Sequence, residues 1–198
     1  PLNFERGVNS GNEKDSGIWE FRGIKEHFFF SKLMCYIGVD RALKLAKFFN
    51  KEENVEKWNK LREKIKSNIL ENGYNEKIKA FPMFYGSEHL DASSLMMLYY
   101  DFLDKKDPRI VNTVNTIYDN LKEDFHVQRY KMKDDFGQSR SSFTICAFWL
   151  VDALFQIGER EKARELFSKL IKKGNHLGLF SEDIDIFTGE QRGNFPQA

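Results

Sequence analysis

Acidic residues stand beside aromatic ones in two segments that lie far apart in the sequence. Trp19-Glu20 falls in the segment 15–23, and Glu190 falls in the segment 181–197. Two carboxyl groups around one sugar are what glycoside hydrolysis needs, because one protonates the leaving oxygen and the other activates water or attacks directly. An indole beside a carboxyl raises the pKa of that carboxyl and offers a face on which a pyranose can stack. Residue types alone still favour surface carboxylates beside a structural tryptophan, since 30 acidic residues form many such pairs.

The stretches between these segments predict α-helices. Apolar residues recur in them at helical spacing, and only 4 prolines interrupt the chain. The predicted helices span about 24–49, 55–71 and 92–103, a fourth opens at 107–108, and two more span about 143–157 and 159–173. Strand-like alternation of comparable length is missing from the sequence, so the predicted fold class is all-α.

The predicted helices alternate in character along the chain. The first, third and fifth are apolar nearly all round, which is typical of buried helices, whereas the others have one charged, solvent-facing side. Three inner–outer helical hairpins in a row predict half of a toroid made of concentric helices. A solenoid of stacked helix pairs is the alternative. The inner helices start near residues 24, 92 and 143, a spacing too uneven for a fixed repeat.

The connections between the helices are of two kinds. Loops from inner to outer helices are short (50–54, 104–107, 158–159), and loops leading into inner helices are long (1–23, 73–91, 124–142, 174–198). In an alternating array all the long loops emerge at one rim, where functional sites are usually built. The two acidic segments belong to these loops, so we expect Glu20 and Glu190 to share that rim.

Composition excludes several other classes of function. With 31 basic and 30 acidic residues the formal charge is +1, which supplies no long-range field for nucleic acid or an anionic membrane. A run of about 18 apolar residues is missing, so we expect no membrane-spanning helix. We also find no secretory signal and expect a cytoplasmic protein.

Metal ions and cofactors are not expected either. Cys35 and Cys146 sit in apolar helical runs and predict buried thiols, while the four histidines are scattered singly and predict local hydrogen bonds. Asp134-Asp135 is similar to the metal-binding acids of terpenoid synthases but lacks a further Asp at helical spacing. The same two acids are alternative salt-bridge partners for Arg129.

Several blocks resemble glycoside hydrolase family 15, which holds glucoamylases, glucodextranases and microbial trehalases. They keep the family order over nearly the whole chain, and together they are specific. The blocks are Gly17-Ile18-Trp19-Glu20-Phe21-Arg22-Gly23, His27-Phe28, Ser31-Lys32, Asp40-Arg41-Ala42, Tyr85-Gly86, Leu90-Asp91-Ala92-Ser93, Asp107-Pro108-Arg109, Arg129-Tyr130, Phe148-Trp149-Leu150-Val151-Asp152-Ala153-Leu154, Gly189-Glu190-Gln191 and Gly193-Asn194-Phe195-Pro196-Gln197-Ala198.

The resemblance implies an (α/α)₆ barrel with an inverting, exo-acting glucosidase site. It implies that Glu20 is the general acid and Glu190 the catalytic base, and that Ile18, Trp19 and Arg129 line the subsite for the terminal glucose. Inversion leaves room for a water, which predicts carboxyl groups roughly 6.5–9.5 Å apart.

Three positions keep alternatives open. Glu182 is the second candidate for the base, because some members of the family lack an acid at the Gly-Glu-Gln position. Phe21 stands where fungal glucoamylases carry a second Glu, and Arg22 is the expected replacement for that substrate contact. Asp91 precedes an inner helix and is predicted to be its N-cap rather than a sugar ligand.

Three hairpins are half of the six that an (α/α)₆ barrel needs. We therefore interpret residues 1–198 as the C-terminal portion of one catalytic domain that lacks its N-terminal half, either as a piece of a longer protein or as a natural half-length product. Alone, it is expected to be inactive unless a partner chain supplies the missing helices. The expected substrate is an oligosaccharide or disaccharide: α-glucans first, as in glucoamylases, with α,α-trehalose or a non-catalytic helical scaffold as alternatives.

Overall fold

The computed structural model describes residues 10–51, 53–133, 137 and 140–197. Asp134 and Asp135, the acids weighed above as metal ligands and as partners of Arg129, lie outside the described residues.

Helices dominate the described part of the chain. The α-helices are α1 (Phe29–Phe48), α2 (Val55–Asn72), α3 (Met96–Tyr99), α4 (Pro108–Leu121), α5 (Thr144–Gln156) and α6 (Arg160–Leu170). Short 3₁₀ helices occupy Ser10–Asn12, Ala92–Leu95 and Ile171–Lys173. The strands are β1 (Lys122–Glu123), β2 (His126–Val127), β3 (Ser141–Phe143), β4 (Asp183–Asp185) and β5 (Gln191–Arg192).

Two of the predicted helices are shorter than their apolar patterns indicate. The first starts at Phe29 rather than near residue 24, because Glu26 and Phe28 form β-bridges with the neighbouring loops. The third ends at Tyr99 rather than near residue 103, since Asp101 adopts a left-handed conformation with φ of 55°. Both changes lengthen the loops at the ends of inner helices.

The predicted alternation of inner and outer helices is confirmed. The inner helices α1 and α5 bury nine and six residues, over roughly half of each helix surface, whereas α2 buries Ile69 and α6 buries Ala163, Leu166 and Leu170. The outer helix α2 packs on α1 and α6 packs on α5, while α4 packs on the 3₁₀ segment Ala92–Leu95 that leads into α3. One core joins all three hairpins, and its fully buried members include Phe29, Leu33, Phe81, Ile110 and Leu150.

Short antiparallel strands connect the long loops. β3, β4 and β5 form a three-stranded sheet in which Phe143 pairs with Asp183, and Asp183 pairs with Arg192. β1 and β2 form a separate hairpin. The sheet ties the loop before α5 to the last segment of the chain, so two of the long loops meet. Among the described residues, none of the helices is both long and apolar enough to cross a membrane.

Candidate active site

The predicted acid, Glu20, lies on a tight turn formed by residues 16–21, called the Glu20 turn below. The Glu20 amide donates to the Gly17 carbonyl at 3.2 Å, and the Phe21 amide donates to the Ser16 carbonyl at 2.9 Å. Gly17 has φ of 68°, and a β-carbon there would lie 2.7 Å from the Phe28 ring. Only glycine fits that position, so the turn is set closely against the core while the Glu20 side chain is exposed.

Trp19 is the half-buried anchor of this turn. Its indole Nε1–H donates to both carboxylate oxygens of Asp91, at 3.0 and 3.1 Å. Its ring meets Phe143 edge-on at 5.7 Å and lies 6.4 and 6.5 Å from the rings of Tyr130 and Trp149. The ring is therefore held by aromatic packing on several sides and by one hydrogen-bonded edge.

Arg129 covers the same aromatic group. Its guanidinium carbon lies 5.6 Å from the Trp19 ring centroid and 5.3 Å from that of Phe143, within the range of cation–π attraction. Burial raises the pKa of Asp183, and the positive charge of Arg129 opposes that rise. Arg129 thus lies among Trp19, Phe143 and Asp183, which come from three different loops.

Glu182, the second candidate for the base, is half-buried and held in a defined orientation. Its Oε2 accepts from the backbone and side-chain amides of Asn194, at 3.0 and 2.9 Å. Its carbonyl accepts from the Thr144 amide at 2.9 Å, at the start of α5. A β-carbon at Gly193 would come within 2.8 Å of Oε2, so the carboxylate packs directly on the glycine backbone.

Glu190, the first candidate for the base, lies at the turn between β4 and β5. Its side chain is 68% exposed and ion-pairs with Arg192 at 3.4 Å. Its carbonyl accepts from the Asp185 amide at 2.9 Å. Arg192 also pairs with Asp185 at 3.1 Å, so Glu190 belongs to a charged surface group at the tip of this hairpin.

The sheet sets these two acids apart. Phe143 contacts Trp19 and pairs with Asp183, the residue that directly follows Glu182. The Glu190 carbonyl accepts from the amide of Asp185. Asp185 is two residues farther along β4 than Asp183, a distance of about 6.6 Å along the strand. Glu182 is thus at the Trp19 end of the sheet and Glu190 at the other end. Ile18 and Arg22, the remaining predicted sugar contacts, are exposed on and beside the Glu20 turn.

Sequence reasoning missed the link between Asp91 and this site. The predicted N-cap role is confirmed, because the Asp91 side chain accepts from the Ser93 amide at 2.8 Å. The bond to Trp19 spans 72 positions, and no local pattern indicates it. Burial raises the pKa of Asp91 to about 6. Asp183 was also missed, although its place beside Glu182 in an acidic run was a usable signal.

Metal-ligating side chains are not gathered into a group of three or more within the described ranges. The buried His126 forms a hydrogen bond through Nδ1 to Ser142 Oγ at 2.8 Å. The partner lies in β3, 16 positions along the chain, rather than close in sequence.

Comparisons with known proteins show which family the chain resembles. The family model described as Glycosyl hydrolases family 15 matches residues 8–198. A trehalase of Mycobacterium tuberculosis is 41% identical over 197 residues, covering 98% of this chain and 29% of that protein. A trehalase of Thermoplasma volcanium is 34% identical over 185 residues, covering 93% of this chain and 30% of that protein. The chain therefore spans about three tenths of the length of these relatives.

A solved structure, that of a bacterial glucoamylase complexed with acarbose, superposes with a TM-score of 0.68. The identity is 16%, and the match covers 86% of this chain and 31% of that one. At that identity the likeness concerns the fold, which is the paired-helix architecture of an (α/α)₆ toroid.

Proposed function

Since the chain belongs to glycosyl hydrolase family 15, we propose that the protein containing it is a glycosidase that hydrolyses α,α-trehalose. The two relatives at 34% and 41% identity are both named trehalase. Glucose release from α-glucans was the first expectation from the sequence. It has weaker support, because the glucoamylase is similar at only 16% identity. It stays the alternative substrate class.

One observation carries the proposal: the Trp19–Glu20 pair lies on a fixed turn beside the Arg129 guanidinium and near the Glu182–Asp183 segment. The exposed part of the half-buried Trp19 ring supplies an apolar wall for a pyranose. Arg129 supplies several N–H donors for sugar hydroxyls. Ile18 lies on the same turn and Arg22 directly follows it. This combination of an acid, an aromatic wall and a second acidic segment is what binding and cleavage of one glucosyl unit require.

In the proposed reaction Glu20 is protonated and donates its proton to the glycosidic oxygen as the C1–O bond breaks. A water molecule attacks C1 from the opposite face of the ring and loses a proton to the ionised base. The configuration at the attacked carbon inverts. Trehalose thus yields one β-glucose, from the attacked unit, and one α-glucose, from the leaving unit.

The base is one of two acids in the last hairpin of the chain. The family resemblance favours Glu190, whereas the geometry favours Glu182. Glu182 is half-buried and aligned by Asn194, which suits a base that must hold one water in position. Glu190 is exposed and paired with Arg192. The carboxyl separation of roughly 6.5–9.5 Å from Glu20 stays a prediction for whichever of them is the base.

The test uses the full-length protein that contains these residues. Glucose release is measured with trehalose, maltose, isomaltose and maltotetraose, and ¹H NMR follows the anomers before they equilibrate. We expect activity on trehalose, with equal initial amounts of α- and β-glucose. Activity confined to the other three sugars would refute trehalose as the substrate, and two α-glucose molecules would refute inversion.

Single substitutions then assign the roles. Glu20→Gln is expected to lower kcat by about a thousandfold or more without lowering the melting temperature, because this side chain is exposed. Glu182→Gln is expected to do the same to kcat, and Glu190→Gln is the matched control from the same hairpin. The reverse pattern would assign the base to Glu190. A loss of stability with no activity to lose would favour the non-catalytic scaffold.

A further inference from the structure

We propose that Asp91 is a positioning residue that fixes the Trp19 indole and, through it, the Glu20 turn. The part of this inference that concerns catalysis rests on the proposed function of Glu20. The contact between Asp91 and Trp19 stands independently of it.

Asp91 makes more contacts than an N-cap needs. A cap requires one bond from the side chain to a backbone amide of the first turn, and the Ser93 amide supplies that bond at 2.8 Å. The Trp19 indole adds contacts to both carboxylate oxygens. These join the loop before the second inner helix to the loop before the first.

Asp91 is also chemically matched to its neighbours. The side chain is 2% exposed, and Trp19 and the Ser93 amide are both donors. An ionised carboxylate accepts hydrogen bonds only, so it satisfies two donors without presenting one of its own. An asparagine would keep one acceptor oxygen and bring two N–H groups into a buried space. The buried position thus favours a carboxylate despite the cost of desolvation.

A second bond ties Arg129 to the same corner of the chain. The Ala92 amide donates to the Arg129 carbonyl at 2.9 Å, while the Arg129 guanidinium lies over the Trp19 ring. Asp91 therefore holds the edge of the Trp19 indole. Ala92 holds the backbone of Arg129, whose guanidinium lies over the indole ring. A shift at residues 91–92 would move both side chains relative to the sugar site.

Glu20 depends on this support because its own side chain is exposed. Its direction follows from the backbone of the turn, where Glu20 has φ of 55° and Trp19 is the preceding residue. Loss of the indole anchor would leave the turn tied through the bonds of Gly17 and Ser16 but free to tilt at its Trp19 side. A displacement of about 1 Å costs on the order of a hundredfold in rate when a reacting group must be aligned.

The experiment is a double-mutant cycle in the full-length protein with Asp91→Asn, Trp19→Phe and the pair. Asp107→Asn is the matched control. Asp107 is the N-cap of α4 and accepts from the Arg109 amide at 2.9 Å, so it loses an equivalent cap in a part of the chain remote from Trp19. Readouts are kcat, KM, the melting temperature and the ¹H–¹⁵N indole resonance that disappears in Trp19→Phe.

We expect Asp91→Asn to shift the Trp19 indole resonance and to lower kcat about tenfold or more with a smaller change in KM. In the Trp19→Phe background the same change should alter kcat less than about twofold, because the two residues act as one unit. Asp107→Asn should leave the resonance in place and kcat within about twofold, whatever its effect on melting.

Two results would overturn the inference: an unshifted indole resonance in Asp91→Asn, or equal losses of kcat in both backgrounds. Absence of hydrolysis by the unsubstituted protein would refute the proposed function instead. The indole resonance would then decide whether Asp91 fixes Trp19, since it requires no substrate.

Discussion

Single residues of the last hairpin determine how the candidate base is held. Gly193 has φ of 75°, and a β-carbon there would lie 2.8 Å from Glu182 Oε2. Gly189 has nearly the same backbone conformation, φ of 73°, but a β-carbon there would meet nothing within 4 Å. Substituting each glycine in turn therefore distinguishes the effect of backbone strain from the effect of contact with Glu182.

We expect Gly193→Ala to lower kcat about tenfold or more, because its methyl group displaces the Glu182 carboxylate from its bonds to Asn194. Gly189→Ala carries a similar strain of about 1–2 kcal/mol and should leave kcat nearly unchanged. Steady-state kinetics and melting curves of the two variants make the comparison. A larger loss of kcat in Gly189→Ala would instead support Glu190, its neighbour in the chain.

The raised pKa of Asp91 predicts how the stability of the folded protein changes with pH. Burial raises this pKa from 3.8 to about 6, so the folded state binds the proton more tightly than the unfolded state does. Stability therefore falls as pH rises through that interval. Asp91→Asn removes the titration, so its stability relative to the unsubstituted protein should improve between about pH 4 and pH 7, by up to about 3 kcal/mol.

Asp107→Asn is the control, because its effect on stability should change with pH in the opposite direction. The Arg109 side chain lowers the pKa of Asp107, so the stabilisation by this carboxylate is present above its unfolded pKa and is lost as pH falls. Its replacement should become more costly as pH rises from acid toward neutral. Melting curves of both variants across this range test the pair, and parallel pH dependences would contradict it.

At the scale of elements, α4 is joined to the loop before the second inner helix by a buried side chain. Thr113 Oγ1 donates to the Arg109 carbonyl at 2.6 Å and accepts from the Phe81 amide at 3.1 Å. Thr113 and Phe81 are both fully buried. The hydroxyl thus satisfies a backbone amide that lies in a loop.

Thr113→Val keeps the shape of the side chain and leaves the Phe81 amide without its acceptor. We expect a loss of about 1–3 kcal/mol in the free energy of unfolding. Thr116→Val on the same helix is the control, since Thr116 is half-buried and its bond to the Ile78 carbonyl is 3.4 Å long. Denaturant titration measures both variants, and equal losses would contradict the role given to Thr113.

For the whole molecule, the inner helices leave apolar side chains uncovered. A groove of 740 Å³ runs between α3 and α5 and is lined in part by Tyr99 and Trp149. Tyr99 is 67% exposed, and Phe155, near the end of α5, is 56% exposed. Exposed apolar surface of this kind is typical of a face that another element covers. We propose that helices outside these residues cover it and complete the sugar site.

We therefore expect the isolated 198-residue chain to release little or no glucose from trehalose or maltotetraose, while the full-length protein is active. Circular dichroism verifies that the helices form in the isolated chain. Glucose release by that chain at the rate of the full-length protein would contradict the proposal. The intact mass of the native protein, recovered with an antibody to this chain, then shows whether the remaining helices come from the same polypeptide.

The sequence alone determined the all-α class, the alternation of inner and outer helices and the long loops that carry the candidate acids. These follow from the spacing of apolar residues within each helix, a local property that a pattern records directly. The ends of α1 and α3 were less predictable, because the bridge of Phe28 with Phe84 and the left-handed conformation of Asp101 override the local pattern.

Only the tertiary structure decided which loop residues meet. The pairing of Phe143 with Asp183 sets Glu182 apart from Glu190, and the bond from Trp19 to Asp91 joins the first loop to the second. Contacts between distant loops depend on how three helical hairpins pack around one core. Such packing leaves no periodic signal near either partner, which is why the sequence indicated candidate residues without their mutual arrangement.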